Sequence, residues 1–401
     1  MPAIESLRIR RILDSRGNPT VEVDVRAGGV VGRAAAPSGA STGKFEVAAW
    51  PKGGVEAAVA AFPKGIAAKL KGRSAEDQEA VDRTLHEIDG SKDFSRLGGN
   101  VAVATSLAVA KAAAAAARKP LFAYLGGRKG FPFPLGNVIG GGRHAIGGTD
   151  IQEFSSLAGS PSPAKSVFAN ALVHKAVAEA LEAKLPDEAI GRGDEGAWVA
   201  KVSNEEALAV LVDACKKTSK SVGFRCAPAL DMAASEFYRR GKYVYKERTL
   251  SPDRQVEFVA GLVESYDLAL VEDPLDQEDF GGYARLTELV GDRCAIVGDD
   301  LFVTNPERLQ KGIDVGAANA ILIKPNQIGT LTDTARTVAL ADRAGYKTVM
   351  SHRSGETTDE TIAHLAVAFG SFAIKTGAVG GERTAKLNEL IRIEEYVGST
   401  S

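Results

Sequence analysis

The first forty residues alternate short apolar runs with turns. Ser6–Leu13 and Thr20–Val25 flank the turn-rich segment Asp14–Pro19, and Gly28–Ala36 follows after a further break. Apolar runs of this length, bounded by Gly, Asn and Pro, are typical of strands joined by tight turns. This part of the chain is therefore predicted to form an antiparallel meander.

The hydrophobic pattern becomes helical between Gly54 and Gly127. Strands followed by helices predict an α+β domain. We expect this domain to occupy residues 1–130 and to end before the Pro- and Gly-rich stretch Phe131–Gly136. Within it, the loop Pro37–Gly43 is rich in Ser, Gly and Ala and is predicted to be flexible.

From about residue 220 onward, short apolar runs alternate with helical segments. The predicted strands are Gly223–Leu230, Leu268–Val271, Ala295–Val297, Ala320–Ile323, Lys347–Met350 and Phe372–Ile374. Polar or charged groups follow them, and from Asp231 to Lys375 these groups are 41, 27, 25, 28 and 23 residues apart, with His352 as the fifth. A strand, a helix and two loops need about 25–30 residues, so the spacing predicts a βα repeat. Six such units without a glycine-rich nucleotide turn favour a (β/α)8 barrel over residues 131–401, within the α/β class, rather than a doubly wound sheet.

The C-terminal strand ends of such a barrel face one mouth, where the chemistry takes place. The polar groups at these ends are Asp231, Glu272, Asp299, Lys324, His352, Arg353 and Lys375. Carboxylates on adjacent strands repel each other unless a cation lies between them, and hard oxygen ligands on a rigid frame suit Mg²⁺. Taken alone, each of these three carboxylates could equally well be an ordinary acidic loop residue as a metal ligand. Beside a dication, a lysine is expected to have a lowered pKa and to serve as a general base in carbon-acid chemistry.

Composition and charge narrow the function further. The formal net charge of −2 gives no electrostatic basis for binding nucleic acid or an anionic membrane. Three widely spaced cysteines without a CxxC pair argue against a disulfide framework or a zinc site and favour a reducing compartment. We find neither an apolar signal-peptide core nor a run of about 18 apolar residues, so the cytoplasm is the expected location and no membrane span is expected.

Nine motifs occur in an order and spacing that cover the chain nearly end to end. They are Asp14–Val23, Pro37–Gly43, Gln152–Phe154, Gly193–Gly196, Val271–Pro274, Gly298–Leu301, Lys324–Thr330, Ser351–Thr357 and Lys386–Glu395. Together they resemble the enolase (phosphopyruvate hydratase) family. The resemblance implies an N-terminal α+β domain followed by an enolase-type barrel, and reversible dehydration of 2-phosphoglycerate to phosphoenolpyruvate through an aci-carboxylate, with two Mg²⁺ per active site during turnover.

The resemblance also implies a role for each matching residue. The catalytic set is Glu195, Lys324, Glu153 and His352. The substrate-binding set is His144, Gln152, Arg353, Ser354 and Lys375. The metal set is Asp231, Glu272 and Asp299 for the first ion and Ser41 for the second. In this scheme Lys324 removes the C2 proton and Glu195, assisted by Glu153, protonates the departing C3 hydroxyl. Arg353 and Ser354 grip the phosphate.

Assembly and alternatives follow from the same resemblance. Glu22 with Arg392, and Arg10 with Glu382, match positions that pair across the family's dimer interface, so a homodimer or a dimer-based octamer is expected. One alternative is another carbon-acid enzyme of the superfamily, against which the phosphate-gripping motif argues. The other is a catalytically inert scaffold, which should have lost some of the catalytic residues.

Four segments depart from the family's pattern. Pro325 follows Lys324, Ala197–Ala200 follows the GDEG turn, Ser166–His174 replaces the usual helix sequence, and Gly377–Arg383 is about one residue shorter than the family's pattern. None of them includes a proposed ligand or catalytic residue.

Overall fold

The computed structural model describes residues 2–39, 43–127, 130–145 and 147–400. The predicted metal ligand Ser41 lies outside these residues.

The N-terminal part begins with the predicted meander. Its strands are β1 (Ile4–Leu13), β2 (Pro19–Ala27) and β3 (Val30–Ala35), paired antiparallel in the order β1-β2-β3. The alternate side chains of β2 are buried while those between them are partly exposed, as expected of a strand with one face on the core. The helices that follow are α1 (Gly54–Ala61), α2 (Ala68–Leu70), α3 (Gln78–Asp89), α4 (Gly99–Ala116) and α5 (Leu121–Tyr124), with a π-helical turn at Pro63–Ala67.

Helix α4 is the core helix of this α+β unit and packs on the sheet. Its alanines allow a very close approach, because a Cβ atom on Gly32 of β3 would lie 2.2 Å from the carbonyl oxygen of Ala108. By length and composition α4 could cross a membrane, which the sequence pattern did not suggest. However, 83% of it is buried within the fold, so its apolar character is explained by packing.

Eight strands of the second part close into a barrel. They are β4 (Phe133–Gly140), β5 (Glu153–Ala158), β8 (Cys226–Asp231), β12 (Leu270–Glu272), β13 (Ala295–Gly298), β14 (Ala320–Ile323), β15 (Lys347–Ser351) and β16 (Ala373–Lys375), and β16 pairs with β4 to close the ring. Short strands outside the ring are β6 (Gly191–Arg192), β7 (Trp198–Val199), β9 (Tyr238–Arg239), β10 (Lys242–Val244) and β11 (Thr249–Leu250).

Helices surround this ring. They are α6 (Pro163–Lys184), α7 (Asn204–Val222), α8 (Pro252–Tyr266), α9 (Phe280–Val290), α10 (Pro306–Val315), α11 (Pro325–Ile328), α12 (Leu331–Arg343), α13 (Thr361–Ala368) and α14 (Gly381–Thr400). Inside the barrel, apolar side chains such as Leu135, Leu270 and Leu322 fill the space between the strands. The barrel interior is therefore a packed core, and polar side chains collect at its mouth.

The direction of β5 differs from a regular (β/α)8 repeat. It pairs antiparallel with both β4 and β8, whereas the other neighbouring pairs of the ring are parallel. The chain returns from β4 as a hairpin, and α6 and α7 then follow before β8. Because β5 is reversed, its first residue, Glu153, lies beside Gly140 at the end of β4 and beside Asp231 at the end of β8.

The six strands predicted after residue 220 are present, and five of them begin and end within two residues of the prediction. The exception is the strand predicted to begin at Gly223, which begins at Cys226. Gly223 instead ends α7 in the left-handed conformation (φ 80°), a common role of glycine after a helix.

Candidate active site

One cavity at the barrel mouth brings together the predicted site residues that the structure describes. The free volume of this cavity is small, about 30 Å³. Its lining comprises His144, Gln152, Glu153, Glu195, Asp231, Glu272, Asp299, Lys324, His352, Arg353, Ser354 and Lys375, together with Gly39 and Ser351. A narrow cavity lined by so many charged side chains suits a small polar ligand rather than a large apolar one.

Three carboxylates come from adjacent parallel strands of the ring. Asp231 ends β8 and Glu272 ends β12, where the two residues are direct register partners, and Asp299 follows β13 by one residue. Burial and the charge of Asp231 raise the pKa of Glu272 to about 8. Burial acts in the same direction on Asp299, but the nearby Lys324 outweighs it and lowers the pKa of Asp299. The three acids thus form one set of carboxylate oxygens, in which the pKa of Glu272 is raised and that of Asp299 is lowered.

Lys375, at the end of β16, lies between two of these acids. Its Nζ donates to Asp231 Oδ2 at 2.9 Å and to Glu272 Oε2 at 2.6 Å, and it lies 3.3 Å from Glu153 Oε1. Although burial disfavours the ammonium form, these carboxylates raise the pKa of Lys375 well above its usual value. Lys375 is therefore a fixed positive charge in the cavity.

Lys324 is held by the third carboxylate. Its Nζ donates to Asp299 Oδ2 at 2.5 Å, and Gln327 donates to the other oxygen of Asp299 at 3.0 Å. Burial opposes the charge on Lys324, but Asp299 outweighs this and the pKa of Lys324 is raised. The protein groups alone thus favour the protonated lysine, whereas the sequence-based expectation of a lowered pKa depended on a cation beside it.

Among the described residues, two groups of ligand-type atoms lie within 4.8 Å of one another. They are His144, Glu153 and Glu195, and Asp273, Asp299 and Asp300. The predicted set of Asp231, Glu272 and Asp299 lines the same cavity but does not form such a compact group, and the ammonium of Lys375 contacts two of its members. Carboxylates of this kind are donors of the type that Mg²⁺ prefers.

Glu195 and Glu153 form a coupled acidic pair. Burial and the charge of Glu195 raise the pKa of Glu153 well above its usual value. Burial acts in the same direction on Glu195, but His352 and His144 outweigh it and lower its pKa well below the usual range. Without a ligand the pair therefore carries its proton on Glu153, not on the predicted acid Glu195.

The backbone of Glu195 is unusual for a non-glycine residue. It has φ 65° and ψ 9° in a short turn, the left-handed region that most side chains avoid. The side chain is 3% exposed, Asn137 Nδ2 donates to its Oε2 at 3.1 Å, and its Oε1 lies 3.1 Å from His352 Nε2. This conformation aims the carboxylate into the cavity.

Arg353, predicted to grip phosphate, is paired with the N-terminal domain. Its guanidinium donates to the two oxygens of Glu46 at 3.0 and 3.1 Å and to Asn326 at 3.0 Å, and both charged side chains are less than a tenth exposed. Nearby, the backbones of Ser38 and Gly355 form two hydrogen bonds of 2.7 and 2.8 Å. The site is therefore built by both domains.

Sequence reasoning missed several residues that hold the site. Asn137 lies in the buried strand β4, and an amide inside an apolar strand was the signal that could have revealed it. Asp273 accepts hydrogen bonds from the backbone amides of Asp299 and Asp300 at 3.0 and 2.8 Å. Glu46 contacts Arg353, 307 positions away, and Arg383 donates to His352, 31 positions away, so neither contact carries a local signal.

Two of the departing segments meet behind the Glu195 turn. His174 Nε2 lies 2.8 Å from the carbonyl oxygen of Gly196, and the indole N–H of Trp198 donates to the carbonyl oxygen of His174 at 2.9 Å. The two rings also pack, with centroids 5.0 Å apart. The third departure, Pro325, occupies the first position of α11, where a helix needs no backbone N–H.

The fold and the cavity define a TIM-barrel enzyme whose buried carboxylates, lysines and histidines suit proton transfer on a small anionic substrate. Two family models match the chain, "Enolase, N-terminal domain" over residues 4–125 and "Enolase, C-terminal TIM barrel domain" over residues 128–401. The enolase of Methanothermobacter thermautotrophicus is 55% identical over 98% of this chain and 97% of its own length. That of Natronomonas pharaonis is 55% identical over 98% of this chain and 99% of its own.

The chain belongs to the enolase family. It is therefore a carbon–oxygen hydro-lyase of the phosphopyruvate hydratase type, in a metal-dependent family that interconverts 2-phosphoglycerate and phosphoenolpyruvate in glycolysis.

Proposed function

We propose that this chain dehydrates 2-phosphoglycerate with Lys324 as the base that removes the C2 proton and Glu195 as the acid that protonates the departing C3 hydroxyl. The observation that carries the proposal is that one cavity contains both groups in separate clusters. Lys324 contacts Asp299, whereas Glu195 lies with His144, Glu153 and His352. Two proton-transfer groups with different partners can hold different protonation states at one pH, as an elimination requires.

The acid would obtain its proton within the Glu153–Glu195 pair. Their oxygens lie within 4.8 Å, and burial raises the pKa of Glu153 while the neighbouring histidines lower that of Glu195, so a proton shared by the pair would reside on Glu153. A leaving hydroxyl beside Glu195 would draw this proton across. In the reverse reaction, the same carboxylate would accept a proton from water.

The substrate's charged groups have matching partners. Lys375 is the fixed cation for the carboxylate end, and the planar fork of Arg353, with the Ser354 hydroxyl, is suited to the phosphate. Gln152 and His144 complete the wall of the cavity. Binding the phosphate at Arg353 would require it to displace or share the contact with Glu46.

The donor set fits Mg²⁺, and we propose two ions per active site during turnover. Asp231, Glu272 and Asp299 supply carboxylate oxygens at the barrel mouth, and Lys324 and Lys375 offset their charge. Bound there, Mg²⁺ would stabilise negative charge developing on the substrate carboxylate and weaken the interaction that keeps Lys324 protonated. The proposed ligand of the second ion, Ser41, lies outside the described residues.

Isotope exchange separates the two proposed roles. Lys324→Ala should abolish exchange of the C2 proton with deuterated solvent, whereas Glu195→Gln should block formation of phosphoenolpyruvate but keep exchange measurable. Phosphoenolpyruvate is followed by its ultraviolet absorbance and exchange by proton NMR. Normal exchange in both variants would show the assignment to be wrong. No product from 2-phosphoglycerate and Mg²⁺ in the unmodified protein would exclude the proposed reaction.

Metal removal tests the ion sites. Dialysis against a chelator should abolish activity, and titration calorimetry with Mg²⁺ should then detect one tight site in the substrate-free protein. Asp299→Asn should weaken that site strongly, while a substitution of the exposed Glu179, which pairs with Lys217 on the surface, should leave it unchanged. Equal Mg²⁺ affinity in Asp299→Asn and the unmodified protein would show that the ion binds elsewhere.

We also propose a homodimer or a dimer-based octamer in the cytoplasm. In the single chain Arg10 pairs with Glu22 and Asp24, and Glu382 lies 3.2 Å from Arg383, so a partner would have to share or replace these pairs. All three cysteines are free and buried, in keeping with a reducing compartment. Light scattering at micromolar concentration should give at least twice the mass of one chain, and a monomer would contradict the proposal.

A further inference from the structure

Arg383 is completely buried beside the active-site cavity. It lies in the first turn of α14, and its side chain is 0% exposed. Its guanidinium reaches three groups of the segment after β15. Nη1 lies 2.8 Å from His352 Nδ1 and donates to the carbonyl oxygen of Arg353 at 2.6 Å, and Nη2 donates to the carbonyl oxygen of Ser354 at 2.7 Å.

The contact with His352 fixes which ring nitrogen carries a proton. A guanidinium has only N–H donors and stays charged in proteins, so it cannot accept a hydrogen bond. A proton on Nδ1 would face the N–H of Nη1 at 2.8 Å, which both sterics and charge forbid. Nδ1 must therefore be the acceptor, and the proton of the neutral ring must lie on Nε2.

The other ring nitrogen of His352, Nε2, lies on the cavity side of the ring. His352 Nε2 lies 3.1 Å from Glu195 Oε1, yet among the described residues it has no partner with hydrogen-bond geometry. The side chain is 2% exposed, so its N–H cannot be satisfied by bulk water. A buried donor of this kind is available for an oxygen of a bound ligand or for a small shift of Glu195.

We propose that Arg383 is a positioning residue that fixes His352 as the Nε2–H tautomer, so that His352 presents a hydrogen-bond donor, never a proton acceptor, to Glu195 and the substrate. The inference deepens the proposed function, on which its consequence for catalysis rests. It assigns to His352 the task of orienting the Glu195 carboxyl or binding a substrate oxygen. It excludes His352 as a general base in the elimination.

Burial supports the neutral ring. Desolvation lowers the pKa of His352 to about 4, and the charge of Arg383 acts in the same direction, while the charge of Glu195 opposes both. The ring is therefore neutral at physiological pH, where the choice of tautomer matters.

A purely structural role for Arg383 is the competing explanation, since it also holds two carbonyl oxygens of the segment that contains Arg353. Lys386, one turn further along α14, is a matched control. It is 1% exposed, donates to the carbonyl oxygen of Thr357 at 2.8 Å, and lies 2.9 Å from Glu356 Oε2. It thus anchors the same segment with a buried cation, but in the part of the chain that the structure describes it neither bonds to His352 nor lines the cavity.

Nitrogen NMR of protein labelled at histidine reads the tautomer directly. The chain has five histidines, and a His352→Gln variant identifies the signal of His352. At pH 7 the unmodified protein should show a protonated Nε2 and an unprotonated Nδ1. Arg383→Met should give a mixture of tautomers or the Nδ1–H form, Arg383→Lys should retain the Nε2–H form, and Lys386→Met should retain it as well.

Kinetics adds a second readout. Arg383→Met should lower kcat by about 10-fold or more, as expected when the group that orients a functional histidine is lost, with a smaller effect on KM. Arg383→Lys should recover most of this loss. An Nδ1–H tautomer in the unmodified protein, or an unaltered Nε2–H signal in Arg383→Met, would overturn the inference. If Arg383→Met does not fold, the tautomer measured in the unmodified protein still tests the inference. Because NMR needs no turnover, a correct tautomer in a protein inactive on 2-phosphoglycerate would refute only the proposed function.

Discussion

Replacing Glu46 by Gln tests whether the N-terminal domain tunes the phosphate-binding arginine. The two carboxylate oxygens of Glu46 accept hydrogen bonds of 3.0 and 3.1 Å from Arg353, and the two side chains are only 8% and 3% exposed. Gln keeps the shape but offers one oxygen acceptor and no charge. Arg353 then lacks one charge-assisted hydrogen bond in a site from which water is excluded, so water cannot replace it.

The expected cost follows from the burial of this pair. Removing one partner of a buried ion pair typically costs about 3–5 kcal/mol, and the conservative Gln should fall near about 3 kcal/mol. A chain of this length has an entropy of unfolding of about 0.8 kcal/mol/K near its Tm, so the Tm should fall by about 4 °C. The matched control is Glu179→Gln, which breaks the exposed pair with Lys217 and should cost less than about 1 kcal/mol.

Substrate binding should respond in the opposite direction. Glu46 places a negative charge on the guanidinium that is proposed to hold the phosphate, so Glu46→Gln should lower the KM for 2-phosphoglycerate and tighten binding of inorganic phosphate. Differential scanning calorimetry gives the Tm, and initial rates of phosphoenolpyruvate formation give KM. A Tm change no larger than that of Glu179→Gln, or a raised KM, would refute this reasoning.

Three further predictions concern residues outside the cavity. His86 Nε2 lies 2.7 Å from Asp333, and this contact raises the pKa of His86 above 6.5. The stabilisation from the protonated His86 is therefore full below pH 6.5 and is lost as the pH rises through the raised pKa. The Tm difference between the unmodified protein and His86→Phe should shrink from pH 6 to pH 9. A hydrogen bond from His364 lowers the pKa of Glu389 to about 2. The stabilisation that the ionised Glu389 contributes is therefore full above the usual pKa of 4.5 and is lost as the pH falls towards 2. In denaturant titrations, the free energy of unfolding of Glu389→Gln should be lower than that of the unmodified protein at pH 6 and equal to it near pH 2, and a constant difference would contradict this. Trp198→Phe keeps an aromatic ring, although a smaller one, and removes the donor to the His174 carbonyl. It should lower stability by at least about 1 kcal/mol in the same titration, and an unchanged midpoint would show that this hydrogen bond contributes nothing.

The regular βα spacing was sufficient to predict most of the barrel and its row of charges. It worked because parallel strands joined by helices repeat every 25–30 residues or so, and each strand end falls at the same mouth. Lys324, Lys375 and the three carboxylates are on that row, so their meeting in one cavity follows from spacing alone. The spacing of hydrophobic residues does not encode strand direction, so the reversal of β5 could not be predicted from the sequence pattern.

The remaining site residues needed information that local pattern lacks. Glu195 lies in a left-handed turn rather than at a strand end, and only its motif pointed to it. Glu46 and Arg383 act through contacts with residues about 300 and 30 positions away, which are set by how the domains and α14 pack. Protonation was equally hidden, because the pKa of Glu153 depends on burial and on charges from four other segments of the chain.

The reversed strand β5 has a consequence for how this enzyme could change. In a regular repeat, the connection at the mouth leads into an outer helix, so altering its length pulls on the shell of the barrel. Here the connection from Gly140 to Glu153 joins two directly paired strands, and it carries His144 and Gln152 to the cavity. Insertions or exchanges within a hairpin loop are tolerated more readily than changes to packed elements. Most of its described residues are buried, so substrate preference could be redesigned at the exposed Gly142, Arg143 and Gly147 while the helical shell keeps its packing.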